Sequence, residues 1–163
     1  MEAAIELAER FDGNKEKAEL AAIFHDYAKF RDRDEMRLLV KNTLTNKLIL
    51  DYGDELLHAP CAAYYLPEEV GVTDEEILQA IASHTTGRVG MSLLEKIIFL
   101  ADYIEPGRQF QGVDQVRQLA KKNLDAAIIQ ALEQTICFLL KRRQLIYPET
   151  LATYNDLVKK NEN

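Results

Sequence analysis

The chain has 163 residues, a formal net charge of −7 and 47% hydrophobic residues, which predicts one globular domain with a buried core. The acidic balance argues against a nucleic-acid polymer as partner, because such binding needs a basic face. The sequence contains no 18-residue apolar run and no basic start followed by an apolar stretch, so neither a membrane span nor a signal peptide is expected.

The cysteines indicate a reducing compartment. Cys61 and Cys137 are too few to frame a disulfide scaffold, and both lie among apolar neighbours at helical spacing. We therefore expect two buried free thiols and a cytoplasmic location. Seven glycines and four prolines leave few helix breakers in the chain, so helices are favoured.

The first part of the chain shows helical periodicity. Met1–Phe11 predicts an amphipathic helix without a capping residue, which indicates a start inside a longer helix. Asn14 can cap a second helix that runs toward His25, and a third helix is predicted from residue 32 to about residue 43.

Two further helices carry a histidine each. Pro60 fits the first turn of a helix that follows His58 and continues to about Leu66. Thr73 with Glu76 forms a predicted capping box, which opens a helix with His84 on its apolar face.

The second half of the chain begins with a predicted central helix. Ser92 and Glu95 form another capping box, and the residues from Ile97 to Ala101 are apolar nearly all round, as in a buried helix. Helices are also predicted over 113–121, 124–143 and 150–160. A non-helical crossing is predicted over 145–150.

A metal site is predicted from the histidines and two aspartates. His25 and Asp26 end an apolar helical run, and burying an unpartnered carboxylate costs several kcal/mol or more, so a bound cation is expected. The alternative is an aspartate that caps the next turn beside a surface histidine. His58, His84 and Asp102 lie on other apolar helices, and such convergence is how helical bundles build metal sites.

The residues after His84 allow two interpretations. The hydroxyls of Thr85 and Thr86, the flexible Gly87 and the guanidinium of Arg88 suit an oxyanion site, but a plain helix-ending turn has the same composition. Asp102 likewise is either a metal ligand or a structural cap, and its buried position favours the ligand.

Four phrases resemble one known family over essentially the whole chain. They are Ala-Ala-Ile-Phe-His-Asp-Tyr-Ala-Lys, His-Thr-Thr-Gly-Arg, Leu-Ala-Asp-Tyr-Ile-Glu-Pro-Gly-Arg and Leu-Ile-x-Pro-x-Thr. This pattern resembles the HD-domain metallohydrolases, and within them the YqeK family, bacterial enzymes that cut diadenosine tetraphosphate into two ADP. The resemblance implies an all-α, compact HD-domain bundle with a metal site in its core, spanning 1–163 as a single domain.

One family feature is missing from the sequence. The resemblance places a first histidine ligand on a helix just before the segment that starts at Met1, so we expect an opening helix that is incomplete. A misassigned start, a shortened chain and a genuine short form all remain open. The expected consequence is a weaker first metal site.

The resemblance also implies a mechanism. Asp26 would bridge two metal ions, with His25 and Asp102 on one and His58 and His84 on the other, and iron is the metal associated with the family. A water activated between the ions would attack the substrate, with Asp26 and Lys29 as catalytic residues. The implied contacts to the dinucleoside polyphosphate or nucleoside diphosphate are Asp26, Lys29, His58, His84, Thr85, Asp102, Arg108, Leu145, Ile146, Tyr147, Pro148, Glu149 and Thr150.

Two other functions remain open from the sequence. One is an HD-type nucleotidase that uses the same ions, and the other is a nucleotide-binding module that is catalytically weak because a ligand is absent. The sequence also leaves open a homodimer.

Overall fold

The computed structural model describes residues 1–161, and all regular secondary structure in that range is helical. Short 3₁₀ turns occupy Leu48–Asp51 and Asp54–Leu56. The α-helices are α1 (Glu2–Arg10), α2 (Lys15–Phe24), α3 (Arg33–Asn42), α4 (His58–Glu69), α5 (Glu75–Ser83), α6 (Leu93–Tyr103), α7 (Val113–Ala120), α8 (Leu124–Lys141) and α9 (Pro148–Asn161). The all-α prediction is confirmed.

Most of the predicted helix starts are confirmed by their capping hydrogen bonds. The Asn14 side chain accepts from the Lys17 amide at 3.0 Å and starts α2. Ser92 and Glu95 form the expected reciprocal capping box of α6. Met1 precedes α1 without a side-chain cap, also as predicted.

The starts of two helices were predicted wrongly. Asp74, and not Thr73, caps α5, because the Asp74 carboxylate accepts from the amides of Glu76 and Ile77 at 2.9 and 3.2 Å. The helix α9 begins at Pro148, so the non-helical crossing predicted over 145–150 ends earlier. Proline has a φ angle suited to the first helical turn and lacks an N–H that would go unpaired there, which explains this start.

The helix α6 lies at the centre of the fold, as its all-round apolar sequence predicted. It contacts α1, α2, α5 and α8. Ile97 and Leu100 are fully buried within it. Because α2, α5 and α6 pack on one another, the residues at their ends are brought into one region of the molecule.

The helix α8 is buried only in its first half. Leu124, Ile128 and Leu132 are in the core, whereas Phe138 is largely exposed. The expectation that both thiols are buried is therefore half wrong: Cys61 is buried, but Cys137 is exposed on the outer half of α8. The apolar sequence of this half resembles a core segment, but no described helix covers it on that side.

None of the helices in residues 1–161 is both long and apolar enough to cross a membrane.

The central position of α6 predicts a large difference between two leucine truncations. Leu100 is 0% exposed and Leu140 is 59% exposed. Leu100→Ala should lower the free energy of unfolding by about 2–5 kcal/mol, because it leaves a cavity in the core. Leu140→Ala should change it by less than about 0.5 kcal/mol. Urea unfolding of both variants tests this, and an equal loss in both would contradict the described packing.

Candidate metal centre

Four of the five predicted ligands lie at helix ends, and Asp26 lies in the turn that follows α2. His25 directly follows α2 and His84 directly follows α5, each as the C-terminal capping residue. His58 is the first residue of α4, and Asp102 lies in the last turn of α6. Helix ends leave backbone groups without an intrahelical partner, so they can supply hydrogen bonds to a neighbouring side chain.

The three imidazole rings are oriented in the same way. Each Nδ1 lies 2.7–2.8 Å from a carbonyl oxygen three residues earlier in the chain. The carbonyls belong to Ala22 for His25, Glu55 for His58 and Ile81 for His84. A carbonyl can only accept, so Nδ1 carries the hydrogen and Nε2 of the neutral ring has a free lone pair. This orientation is typical of metal-binding histidines.

The Nε2 atoms converge on Asp26. Asp26 Oδ1 lies 3.2 Å from His58 Nε2 and 3.8 Å from His84 Nε2, and Oδ2 lies 3.5 Å from His25 Nε2. His25 Nε2 is also 3.6 Å from Asp102 Oδ1. One ligand atom from each of His25, Asp26 and His84 lies within 4.8 Å of the others, a spacing that could hold a metal ion. The structure thus brings together all five side chains that the sequence predicted as ligands.

Two cations lie against the carboxylates. Lys29 Nζ is 2.6 Å from Asp26 Oδ2, and Arg108 Nη2 is 2.6 and 2.8 Å from the two oxygens of Asp102. Both residues were predicted to contact substrate phosphate, and the structure places both beside the cluster. They supply local positive charge in a chain of net charge −7.

The electrostatics keep the carboxylates ionised. Burial by itself would raise the pKa of Asp26, but the contacts with His58 and Lys29 outweigh it and hold that pKa well below its usual range. Burial also opposes ionisation of Asp102, yet His25 and Arg108 lower its pKa to about 2. Both aspartates are therefore anions at neutral pH.

The pKa values of His84 and His25 are shifted in opposite directions. Burial lowers the pKa of His84 from 6.5 to about 4, so this ring is neutral at neutral pH and offers its lone pair. Burial also disfavours the charged form of His25, but its hydrogen bonds to Asp102 and the Ala22 carbonyl prevail and raise its pKa.

The turn after His84 is built as a helix ending. Gly87 has a φ of +66°, a value that favours glycine, and its amide donates to the Ser83 carbonyl at 2.8 Å. Arg88 is paired through two nitrogens, at 2.5 and 2.6 Å, with the buried Glu95. Of the two interpretations, the helix-ending turn is the one the structure shows for Arg88. Thr85 is half-buried beside His84.

The predicted nucleoside segment over 145–150 contains both exposed and buried side chains. Leu145 and Pro148 are exposed, whereas Tyr147 is buried and its hydroxyl accepts from Asn46 at 2.6 Å. The Glu149 carboxylate accepts from the Val89 amide at 3.2 Å, which links this segment to the loop after His84. Sequence reasoning missed that contact and the three carbonyl partners, because backbone groups carry no residue-specific signal.

A helical bundle with a His-Asp pair, two further histidines and an aspartate at helix ends defines the class of HD-domain proteins. The HD domain family model matches residues 1–107, a range that contains all five residues of the cluster. A crystal structure from Clostridium acetobutylicum of a predicted HD superfamily hydrolase involved in NAD metabolism aligns with a TM-score of 0.92 and 34% identity. The alignment covers 98% of this chain and 85% of that one.

Similarity to curated proteins identifies one family within the HD-domain class. A symmetrical bis(5'-nucleosyl)-tetraphosphatase from Halalkalibacterium halodurans is 66% identical over 97% of this chain and 84% of that protein. A protein of the same name from Bacillus subtilis is 54% identical over 97% of this chain and 85% of its own length. The chain therefore belongs to the HD-domain family of symmetrical bis(5'-nucleosyl)-tetraphosphatases, which confirms the resemblance seen in the sequence.

The buried His84 predicts a pH-dependent contribution to stability. Between its unfolded pKa of 6.5 and its folded pKa of about 4, the unfolded chain binds a proton at this ring that the folded chain does not. Stability from His84 is therefore complete above pH 6.5 and falls with acidification, by about 3 kcal/mol in all.

The test compares urea unfolding of the wild type and His84→Gln in the presence of a chelator. Titration of the other groups largely cancels in the difference between the two proteins. The stability advantage of the wild type should shrink as the pH falls from about 7 to about 4. A difference that stays constant across this range would contradict the buried, neutral His84.

Proposed function

We propose that this chain hydrolyses diadenosine tetraphosphate symmetrically, giving two ADP. The observation that carries the proposal is the convergence of three imidazole Nε2 atoms on Asp26 in a member of this family. Water adds to one of the two central phosphorus atoms, and the bond between that atom and the central bridging oxygen breaks. The bridging oxygen leaves on the second ADP and takes up a proton.

The donor set fits metal ions. Three imidazoles and two ionised carboxylates suit iron, manganese and similar ions, and we propose iron. Oδ2 of Asp26 faces His25 and Oδ1 faces His58 and His84, which supports Asp26 as a bridge between two positions. We assign His25 and Asp102 to one ion and His58 and His84 to the other. When bound, such ions act as Lewis acids on phosphate oxygens and lower the pKa of water.

The residues in and around the cluster have separate roles in binding and charge neutralisation. Asp26 stays ionised at neutral pH, so it serves as a ligand and hydrogen-bond acceptor and not as a proton donor. The Lys29 ammonium, already at the cluster, neutralises charge on the attacked phosphate as the transition state forms. Arg108 and the Thr85 hydroxyl bind further phosphate oxygens.

The segment over 145–150 is proposed to contact the nucleoside. Its exposed side chains, Leu145 and Pro148, offer apolar surface to a base, while its backbone offers hydrogen bonds. Ile146 and Glu149 are half-buried, and the buried Tyr147 and Thr150 hold the segment in place. Direct contacts of Tyr147, Glu149 and Thr150 with the nucleotide stay predictions.

Three broader proposals accompany the activity. The packing of α8 on α6 and of α9 on α8 supports one HD unit over the whole chain. The free thiols of Cys61 and Cys137 fit the cytoplasm, which is a reducing compartment. The homodimer stays a prediction.

Product analysis tests the proposal most simply. Incubation with diadenosine tetraphosphate and Mn²⁺ or Fe²⁺ should give ADP as the single product, separated by anion-exchange chromatography. Formation of AMP with ATP would show asymmetric cleavage, and release of inorganic phosphate from mononucleotides alone would show a nucleotidase. Either outcome would contradict the proposal.

Two variants separate the roles of Asp26 and Lys29. Asp26→Ala should abolish metal binding, because it removes the proposed bridge. Lys29→Ala should retain metal and lower the turnover number by about 100-fold, the typical loss for one transition-state donor. Lys15→Ala, which breaks an exposed ion pair with Glu9, is the matched control and should behave as wild type. Equal metal loss in Asp26→Ala and Lys29→Ala would show that the roles are wrongly assigned.

A further inference from the structure

One face of α9 holds the loop that follows His84. Glu149, Thr153 and Asp156 lie at helical positions i, i+4 and i+7 and therefore share a face of this helix. Each contacts the segment from Gly87 to Gly90. We call this segment the ligand loop, because it lies in the connection between His84 and α6.

The contacts from α9 are made to the backbone of the ligand loop. Asp156 Oδ2 accepts from the Gly90 amide at 3.0 Å, and Glu149 Oε1 accepts from the Val89 amide at 3.2 Å. Thr153 is fully buried beneath Gly87, so that a Cβ atom on Gly87 would lie 2.6 Å from Thr153 Cγ2. The loop is thus fitted to α9 through hydrogen bonds at two residues and close packing at a third.

The other side of the ligand loop is fixed to α6. Glu95, which is 1% exposed, binds Arg88 and also accepts from the Ser83 hydroxyl at 3.0 Å. Ser83 and Gly87 close the turn around His84 through the Gly87 amide and the Ser83 carbonyl. The chain on both sides of His84 is therefore held between α6 and α9.

We propose that Asp156 is a positioning residue that acts through the ligand loop on His84. This role rests on the metal site of the proposed function. It is separate from the proposed contact of the segment over 145–150 with the nucleoside. Without the Asp156 carboxylate, the Gly90 amide loses its acceptor and the loop is held on the α9 side by Glu149 and Thr153 alone. The Nε2 atom of His84 then samples positions away from Asp26, and metal affinity falls.

The contacts of Asp156 provide matched controls. Its carboxylate binds both the Gly90 amide and, at 2.7 Å, the Lys160 ammonium. Asp156→Ala removes both interactions, Lys160→Ala removes only the ion pair, and Asp156→Asn keeps an oxygen that can accept from Gly90. Of these three variants, only Asp156→Ala should weaken Mn²⁺ binding. We expect a loss of about 5-fold, which is less than the 10–100-fold typical of groups bound directly to metal ligands.

A pair of glycine variants tests the packing of the same loop against Thr153. Gly87→Ala and Gly71→Ala both place a side chain at a positive φ, of +66° and +79°, but only the first would meet another residue within 4 Å. Gly87→Ala should weaken Mn²⁺ binding, because the new methyl group pushes the loop away from Thr153. Gly71→Ala should lose a similar backbone contribution to stability and bind Mn²⁺ like the wild type.

The measurement is isothermal titration of the chelator-treated folded chains with Mn²⁺, with thermal unfolding of each variant in parallel. Weaker Mn²⁺ binding confined to Asp156→Ala and Gly87→Ala supports the proposal, even if Lys160→Ala and Gly71→Ala are equally destabilised. Wild-type Mn²⁺ affinity in Asp156→Ala would overturn the positioning role and leave the proposed function intact. A wild-type chain that binds no Mn²⁺ would overturn both.

Discussion

The site depends on one repeated hydrogen bond, from a histidine Nδ1–H to the carbonyl oxygen three residues earlier. At the ends of α2 and α5 this carbonyl belongs to the last turn of the same helix, and before α4 it belongs to a 3₁₀ turn. The bond fixes the tautomer of the neutral ring as well as the direction of each ring, so all three Nε2 atoms face outward from their backbones. A side chain that ends a helix is thereby held in an orientation suited to metal binding.

Helix packing brings the separately oriented histidines into one shared site. Because α2, α5 and α6 pack on one another, His25, His84 and Asp102 meet Asp26 in one place. The resulting negative charge is offset by Lys29 and Arg108, which lie against the two carboxylates. An acidic chain can bind a polyphosphate in this way, since the positive charge is concentrated where the phosphate must be held.

The sequence predicted the helices and the clustering of the five candidate ligands well, because both depend on the types of side chain at each position. Apolar periodicity located each α-helix of residues 1–161, although not the two 3₁₀ turns, and the His-Asp pair with His58, His84 and Asp102 identified the cluster. The errors concern the choice of a helix cap and the exposure of a cysteine. Asp74 replaced Thr73 as a cap because two neighbouring residues could both serve, and Cys137 is exposed because an apolar helix does not reveal where its neighbours end.

Contacts made through the backbone were not predictable. The carbonyls of Ala22, Glu55 and Ile81 could have belonged to any residue type, and the same holds for the amides of Val89 and Gly90 that bind α9. Such contacts become visible only when distant segments are placed together. Some of them also hold the chain around His84, through the amides of Val89 and Gly90.

The most direct test of this account is ¹⁵N NMR of the histidine rings in the metal-free protein at about pH 8, above the ordinary histidine pKa. The account predicts a neutral ring with hydrogen on Nδ1 for His84, and a proton on Nδ1 of His25 and of His58 in either charge state. Addition of diamagnetic Zn²⁺ should then shift the Nε2 resonances of all three rings. Rings with hydrogen on Nε2 and none on Nδ1 at any two of the three histidines, or Nε2 resonances that Zn²⁺ leaves unshifted, would contradict the shared metal centre.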